Sequence, residues 1–115
     1  MAFTPTYRAQ NVEFDGNKTT SKSMAASFNS DKMYTGLQMA VGLQAIYTGS
    51  PVGCLFIQYS FDGTNWSDVA GTNVGVNGAD NTIWILPEAI TIYFRLSYEF
   101  TSGTGTLTGL VTVKE

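Results

Sequence analysis

The sequence predicts an all-β protein: a single antiparallel β-sandwich, jelly-roll-like or Ig-like, with about eight strands. Three observations predict this class. Apolar and polar residues alternate with a period of two in several runs, glycine-containing turns separate those runs, and no stretch shows helical periodicity. The length of 115 residues supports one hydrophobic core.

Alternation defines the strands. In the late strand, Ile92, Phe94 and Leu96 share one face, while Tyr93 and Arg95 share the other. Residues 35–47 alternate in the same way, and two glycines there argue against a helix. Residues 52–61 are apolar on both faces, as expected of a central strand or of one whose outer face meets a partner. We place the strands at about residues 6–14, 20–28, 35–47, 52–61, 66–69, 82–86, 90–100 and 105–114.

Turns and loops follow from glycine, asparagine and aspartate. Residues 15–17 (Asp-Gly-Asn), 62–65 (Asp-Gly-Thr-Asn) and 102–105 (Ser-Gly-Thr-Gly) predict tight turns. We expect a positive φ at Gly63 and at Gly105. Residues 70–81, rich in glycine and asparagine, predict a loop with little to bury. The predicted organisation is an N-terminal arm over residues 1–12 and one sandwich domain over residues 13–115.

The composition excludes several functions. The chain has no histidine, which removes the commonest general base, the usual serine and cysteine triads, and most zinc and haem sites. A single cysteine, Cys54, cannot form an internal disulfide. The six basic residues are scattered on a chain of net charge −3, so we expect no nucleic-acid partner.

The surface is predicted to be polar but weakly charged. Charged residues make up 13% of the chain, whereas Thr, Ser and Asn together supply 31 positions. Purely apolar runs are too short for a signal peptide or a membrane span, so we expect no membrane partner and a protein made inside a cell. Low charge is typical of a protein held between neighbours, because interface cores are depleted in charged residues.

Candidate catalytic and metal sites are weak. Residues 62–68 carry several side-chain oxygens, but their spacing does not match an EF-hand calcium loop, and a turn followed by a strand is the preferred interpretation. Glu88 with Glu99, or Asp62 with Asp68, could form a glycosidase pair, but acids scattered over a chain of net charge −3 are the preferred interpretation. We expect no enzyme, no cofactor and no metal.

The aromatic residues leave one binding function open. Trp66, Trp84 and six tyrosines could form a sugar-stacking surface. Trp66 follows a turn and Trp84 lies in an apolar run, so a place in the core or in a subunit interface is the preferred interpretation of both.

Two segments carry a resemblance to a known class. Residues 58–69 read QYSFDGTNWSDV, and residues 93–107 begin Tyr-Phe-Arg-Leu-Ser-Tyr and end Ser-Gly-Thr-Gly-Thr-Leu. In this order, and over residues 37–113, they resemble a pattern in small bacteriophage virion structural proteins. The resemblance implies a β-sandwich that occupies a place in a virus particle, as a head decoration (cement) protein or a minor head or tail component. It implies no catalytic residues.

We therefore expect a non-enzymatic virion protein, most simply a head decoration protein that bridges and stabilises capsid subunits. Its expected partners are the major capsid protein or other virion proteins, and further copies of itself. A carbohydrate- or receptor-binding module of a phage tail or spike is the alternative. The expected interface residues are Phe3, Pro5 and Tyr7 of the arm, Val74 and Val76 of the 70–81 loop, Trp84, and Tyr93.

Overall fold

Alternating side chains build two antiparallel sheets that pack face to face. The computed structural model describes residues 9–34, 40–86 and 93–114, which form eleven strands. These are β1 (Ala9–Asn11), β2 (Ser21–Ser23), β3 (Phe28–Asn29), β4 (Met33–Tyr34), β5 (Ala40–Gly49), β6 (Val52–Ser60), β7 (Ser67–Asp68), β8 (Val74–Asn77), β9 (Asp80–Leu86), β10 (Tyr93–Ser102) and β11 (Gly105–Lys114). The described residues contain no helix long and apolar enough to cross a membrane.

The strand order identifies the sandwich as a jelly roll. The first sheet runs β1-β11-β5-β9, with β2 also paired to β11. The second runs β3-β10-β6-β7, with β4 also paired to β10 and β8 to β6. The short strands β1 and β2, β3 and β4, and β7 and β8 each pair with the same long strand, so each couple can be counted as one position. The chain then has eight positions in order, of which the first pairs with the eighth, the second with the seventh, the third with the sixth and the fourth with the fifth. This nested pairing wraps the chain into two open sheets, so the all-β sandwich prediction is confirmed and its jelly-roll form is preferred over an Ig-like one.

The core lies between the sheets and follows the predicted alternation. In β10, Phe94, Leu96 and Tyr98 are buried. In β5, every second residue from Val41 to Tyr47 is buried. The first sheet and its loops bury Val12, Phe14, Met24, Val41, Leu43, Ala45, Tyr47, Trp84, Leu107 and Val111; the second buries Leu55, Ile57, Val76, Phe94, Leu96 and Tyr98. Leu110 points outward between buried Gly109 and Val111.

Several strands have different boundaries in the structure from those that the sequence predicted. The predicted strand over residues 20–28 is divided into β2 and β3, because the chain crosses there from the first sheet to the second. The predicted arm includes β1, which pairs with β11, and buried Val12 follows it. Residues 1–8 of that arm lie outside the described residues.

The 70–81 segment is not the loop that its composition predicted. It contains β8, which pairs with β6 from Val52↔Asn77 to Leu55↔Val74. Val76 is buried, and the side chain of Thr72 donates a hydrogen bond to the Val69 carbonyl. Glycine and asparagine lower the β-propensity of this segment, but pairing with a central strand overrides that preference.

The turn after β10 also differs from the prediction. The positive φ falls on Gly103 (83°) rather than on Gly105, which is the first residue of β11. Gly105 is still required by packing, because a Cβ there would clash with the Thr48 carbonyl oxygen. By contrast Gly63 has φ 78°, so the prediction for the earlier turn is confirmed.

Candidate functional site

The outer face of the second sheet carries aromatic and polar side chains in neighbouring positions. Register places Arg95 opposite Gln58, and Gln58 opposite Asp68. On the other edge of β10, Tyr93 lies opposite Tyr34 of β4. We define the aromatic–polar face as Tyr34, Gln58, Trp66, Asp68, Tyr93 and Arg95.

A rigid turn positions Trp66 on this face. The Asp62 carboxylate accepts hydrogen bonds from the backbone N–H groups of Thr64 and Asn65, both at 2.8 Å, and from the Asn65 amide at 2.7 Å. Ser60 Oγ donates a further bond to it at 2.9 Å. These donors, with the backbone N–H of Asn65 foremost, hold the pKa of Asp62 well below its ordinary value. The carboxylate is therefore occupied in supporting the turn rather than free to bind a cation.

Arg95, Gln58 and Asp68 form a continuous hydrogen-bonded row. Arg95 Nε donates to Gln58 Oε1 at 2.9 Å, and Gln58 Nε2 donates to Asp68 Oδ1 at 2.9 Å. Ser97 Oγ lies close to both Gln58 Oε1, at 3.2 Å, and Asn29 Oδ1, at 2.8 Å. Since Gln58 both accepts and donates in this row, its amide is held in one orientation.

Trp66 lies over the same row. The Arg95 guanidinium carbon is 4.2 Å from the centre of the Trp66 ring, within the range of a cation–π contact. Partial burial lowers the pKa of Arg95 from its ordinary value, through desolvation of the charged guanidinium. The stack fixes both side chains across the strands.

Two tyrosines extend the face beyond this row. The rings of Tyr34 and Tyr93 have centroids 5.9 Å apart and are tilted by 54°. Lys32 Nζ lies 5.0 Å from the centre of the Tyr93 ring. Tyr34 is 68% exposed, so its ring is available to a ligand.

A cleft lies at the Asp62 turn. Its volume is about 300 Å³, and it is lined by Tyr59, Ser60, Phe61, Asp62, Asn65 and Ser67. Phe61 is 68% exposed there. Within the described part of the chain, no group of three or more histidine, cysteine, aspartate or glutamate side chains is placed to hold a metal ion.

The outer face of the first sheet is different in character. Ile83 (59% exposed) and Ile85 (66% exposed) project from β9, and Ile46 (39% exposed) projects from β5. Register places Ile85 beside Gly42 and Ile83 beside Gln44. We call Ile46, Ile83 and Ile85, with half-buried Leu110, the isoleucine face.

Among the described residues, the register places no charged residue between the members of the isoleucine face; the nearest on this side of β11 is Lys114, opposite Ala40 at the end of the strand. The neighbours that the register places there are Ala9, Asn11, Ser21, Gly42, Gln44, Asn81, Thr108 and Thr112. The strand β9 pairs with β5 and with no other strand among the described residues, so this uncharged surface continues to a sheet edge.

The predicted interface residues fall into three groups. Phe3, Pro5 and Tyr7 lie outside the described residues. Val76 (2% exposed) and Trp84 (6% exposed) belong to the core, where Trp84 Nε1 donates a hydrogen bond to the Thr72 carbonyl at 2.8 Å. In this position they are not available to a partner of the folded chain. Val74 and Tyr93 are partly exposed, and their contact with a partner stays a prediction.

Sequence reasoning missed the isoleucine face, although a signal for it exists. Residues 83–86 read Ile-Trp-Ile-Leu, and a strand buries only alternate residues when it is covered on one side. Once Trp84 faces the core, Ile83 and Ile85 must face outward. The row from Arg95 to Asp68 had no such signal, because it depends on the pairing of three strands.

The fold defines the class of this protein as a jelly-roll β-sandwich, which is shared with phage-derived proteins of solved structure. The PBSX exported protein XepA matches 93% of this chain with a TM-score of 0.65 and 14% identity. The SPBc2 prophage-derived protein YomS matches 97% of it with a TM-score of 0.60 and 11% identity. The structure of infectious bursal disease virus Gx strain matches 93% of it with a TM-score of 0.50 and 12% identity.

These likenesses establish the fold alone, because all three identities are low. The chain spans 37% of the XepA chain and 31% of the infectious bursal disease virus chain, but 97% of YomS. No protein-family model matches this sequence, and no curated protein sequence matches it.

Proposed function

We propose that this protein is a non-enzymatic structural component of a bacteriophage virion, and that it binds the outside of the head as a decoration protein. The isoleucine face carries the proposal. A folded protein exposes large aliphatic side chains side by side, without charges between them, chiefly where another protein covers them.

The energetic argument rests on Ile46, Ile83 and Ile85. Burial of a fully exposed isoleucine side chain is worth about 1.5 to 3 kcal/mol, so these three, which are 39% to 66% exposed, can each contribute about half of that to a complex. The surrounding threonines, asparagines and Gln44 can form hydrogen bonds across it at little desolvation cost compared with charged groups. On a capsid lattice, many such contacts act together, which is how a modest single interface stabilises a whole shell.

The wider support is the fold and the resemblance together. A jelly roll occurs in viral shells, and the phage-derived XepA and YomS share this sandwich. The hairpin pattern at residues 58–69 and 93–107 resembles phage virion proteins. The proposed partner is the major capsid protein, with further copies of this chain as neighbours on the lattice.

The test is co-sedimentation of the purified protein with capsids assembled from the shell protein of the same phage. We expect the wild-type chain to pellet with capsids, to give ordered density on the shell by cryo-electron microscopy, and to remain bound at moderate salt, because the contact is apolar. The double variant Ile83→Ser/Ile85→Ser should stay in the supernatant while keeping the wild-type circular dichroism spectrum.

Tyr34→Ala, on the opposite face, is the matched control and should pellet like the wild type. Wild-type protein that remains in the supernatant would contradict the proposal. Equal binding by the double variant would show that another surface makes the contact.

A further inference from the structure

We propose that the aromatic–polar face is a binding site for an uncharged saccharide chain. This inference does not depend on the head-decoration proposal, because it concerns the opposite face of the sandwich. A protein attached to a particle by its isoleucine face would present the aromatic–polar face to the surroundings.

The first argument is the pairing of ring faces with polar groups. The face of an aromatic ring carries negative electrostatic potential and attracts the weakly positive C–H groups along one side of a sugar ring. Tyr34 provides an exposed ring of this kind, and partly exposed Tyr93 lies beside it. An aliphatic surface such as the isoleucine face lacks this property, so the two faces suit different partners.

The second argument is the preorganised row next to the rings. Gln58 is held by Arg95 on one side and Asp68 on the other, so little side-chain entropy is lost when a ligand binds. Asp68 Oδ2 and the two terminal nitrogens of Arg95 have no other hydrogen-bond partner among the described residues. Acceptors and donors in neighbouring positions are what a row of sugar hydroxyl groups requires, since each hydroxyl both donates and accepts.

The third argument concerns charge. The outer positions of this sheet carry Lys32 and Arg95 against Asp68 and Glu99, so the formal charges cancel. Asp62 lies at the margin with its carboxylate already satisfied by four donors. A neutral polysaccharide fits this balance better than an anionic one, which would need an excess of cations.

The experiment measures binding to a glycan array of neutral and acidic oligosaccharides, followed by affinity electrophoresis in gels containing dextran, laminarin, hydroxyethylcellulose or galactomannan. We expect the wild-type protein to bind neutral glycans and to be retarded by at least one of these polymers. Tyr34→Ala and Gln58→Ala should each weaken binding at least tenfold. Both variants should keep the wild-type circular dichroism spectrum, because Tyr34 is exposed and Gln58 faces outward.

Ile83→Ser/Ile85→Ser is the matched control on the other face and should bind the glycan as the wild type does. Absence of binding to every neutral glycan and polymer would overturn the inference, as would binding confined to acidic glycans. Undiminished binding by a Tyr34→Ala/Gln58→Ala double variant would also overturn it. None of these outcomes affects capsid co-sedimentation, so the two proposals fail separately.

Discussion

Asp62 shows how one residue shapes a surface several residues away. Its carboxylate caps the turn over residues 62–65 through bonds to two backbone N–H groups and two side chains. Gly63 completes the turn with φ 78°, and Lys32 and Tyr93 lie where a Cβ at this position would point. The turn therefore both ends β6 and places Trp66 over Arg95.

Replacement of Asp62 should change how stability depends on pH. The folded state lowers the pKa of this carboxyl below 3.8, so its contribution is fully present above that value and is lost as pH falls toward the lower folded pKa. We expect Asp62→Asn to be less stable than the wild type near neutral pH, and the difference to shrink below about pH 4. Urea midpoints at a series of pH values measure it.

Asp80→Asn is the control for this experiment, because Asp80 accepts a hydrogen bond from the adjacent Asn81 N–H but caps no comparable turn. If the wild type stays more stable than Asp62→Asn by the same amount down to about pH 2, the ionised carboxylate is not the source of the extra stability.

Gly63 should tolerate no ordinary side chain without loss of stability. A Cβ at this position would lie 3.1 Å from Lys32 Nζ and 3.3 Å from the Tyr93 ring, and the positive φ adds backbone strain. We expect Gly63→Val to lower the free energy of unfolding by about 1 to 3 kcal/mol, and Gly63→Asn by less, because asparagine adopts this conformation more readily. Denaturant midpoints measure both. Gly75→Ala, where a Cβ meets nothing within 4 Å and φ is not positive, should change the midpoint little.

At the scale of the element, β10 links the core to the aromatic–polar face. It pairs with β6 along most of its length and with β3 and β4 on its other edge. Its inward side chains fill the core, and Tyr98 Oη donates a hydrogen bond to the Val52 carbonyl at 3.0 Å. Burial raises the pKa of this phenol. The strand therefore contributes side chains both to the hydrophobic core and to the aromatic–polar face.

The two faces of β10 should respond differently to truncation. Phe94 is buried, so Phe94→Ala should create a cavity that costs about 3 to 5 kcal/mol. Arg95→Ala should cost less, about 1 to 2 kcal/mol, because it removes a half-exposed cation–π contact and one hydrogen bond but leaves no core cavity. Thermal and denaturant unfolding measure both. A larger loss for Arg95→Ala than for Phe94→Ala would mean that the strand faces are assigned the wrong way round.

At the scale of the whole molecule, the jelly roll joins the two ends of the described chain. Ala9 pairs with Thr112, and β11 lies between β5 and the short strands β1 and β2. Most pairings connect residues that are distant in sequence, and every pairing of the first sheet except that of β5 with β9 involves the C-terminal strand. Such topologies fold slowly and as one unit.

Removal of residues 105–115 should therefore abolish folding of the whole chain. The loss of β11 exposes one edge of β5 and leaves β1 and β2 with no partner among the described strands. We expect the truncated chain to lack dispersed amide signals by NMR and to show no cooperative unfolding transition. A retained transition would show that the second sheet is stable alone, and restoration of the signals by an added peptide of residues 105–114 would support the nested arrangement.

The sequence by itself determined the class of fold and much of the core. Alternation in residues 93–98 and 41–47 correctly assigned the buried faces, since a strand's period of two is a local property. The turn at Gly63 was likewise predictable, because a positive φ favours glycine regardless of distant contacts.

Tertiary structure decided what local chemistry leaves open. The segment over residues 70–81 reads as a loop, yet β6 offers β8 an edge to pair with. Trp84, in an alternating apolar run, could face a partner or the core, and the opposite sheet decided for the core. Arg95, Gln58 and Asp68 are far apart in sequence and meet only through the register of three strands. Pairing across the chain depends on the free energy of the whole sandwich rather than on the propensity of any one segment, and the candidate binding face follows from that pairing.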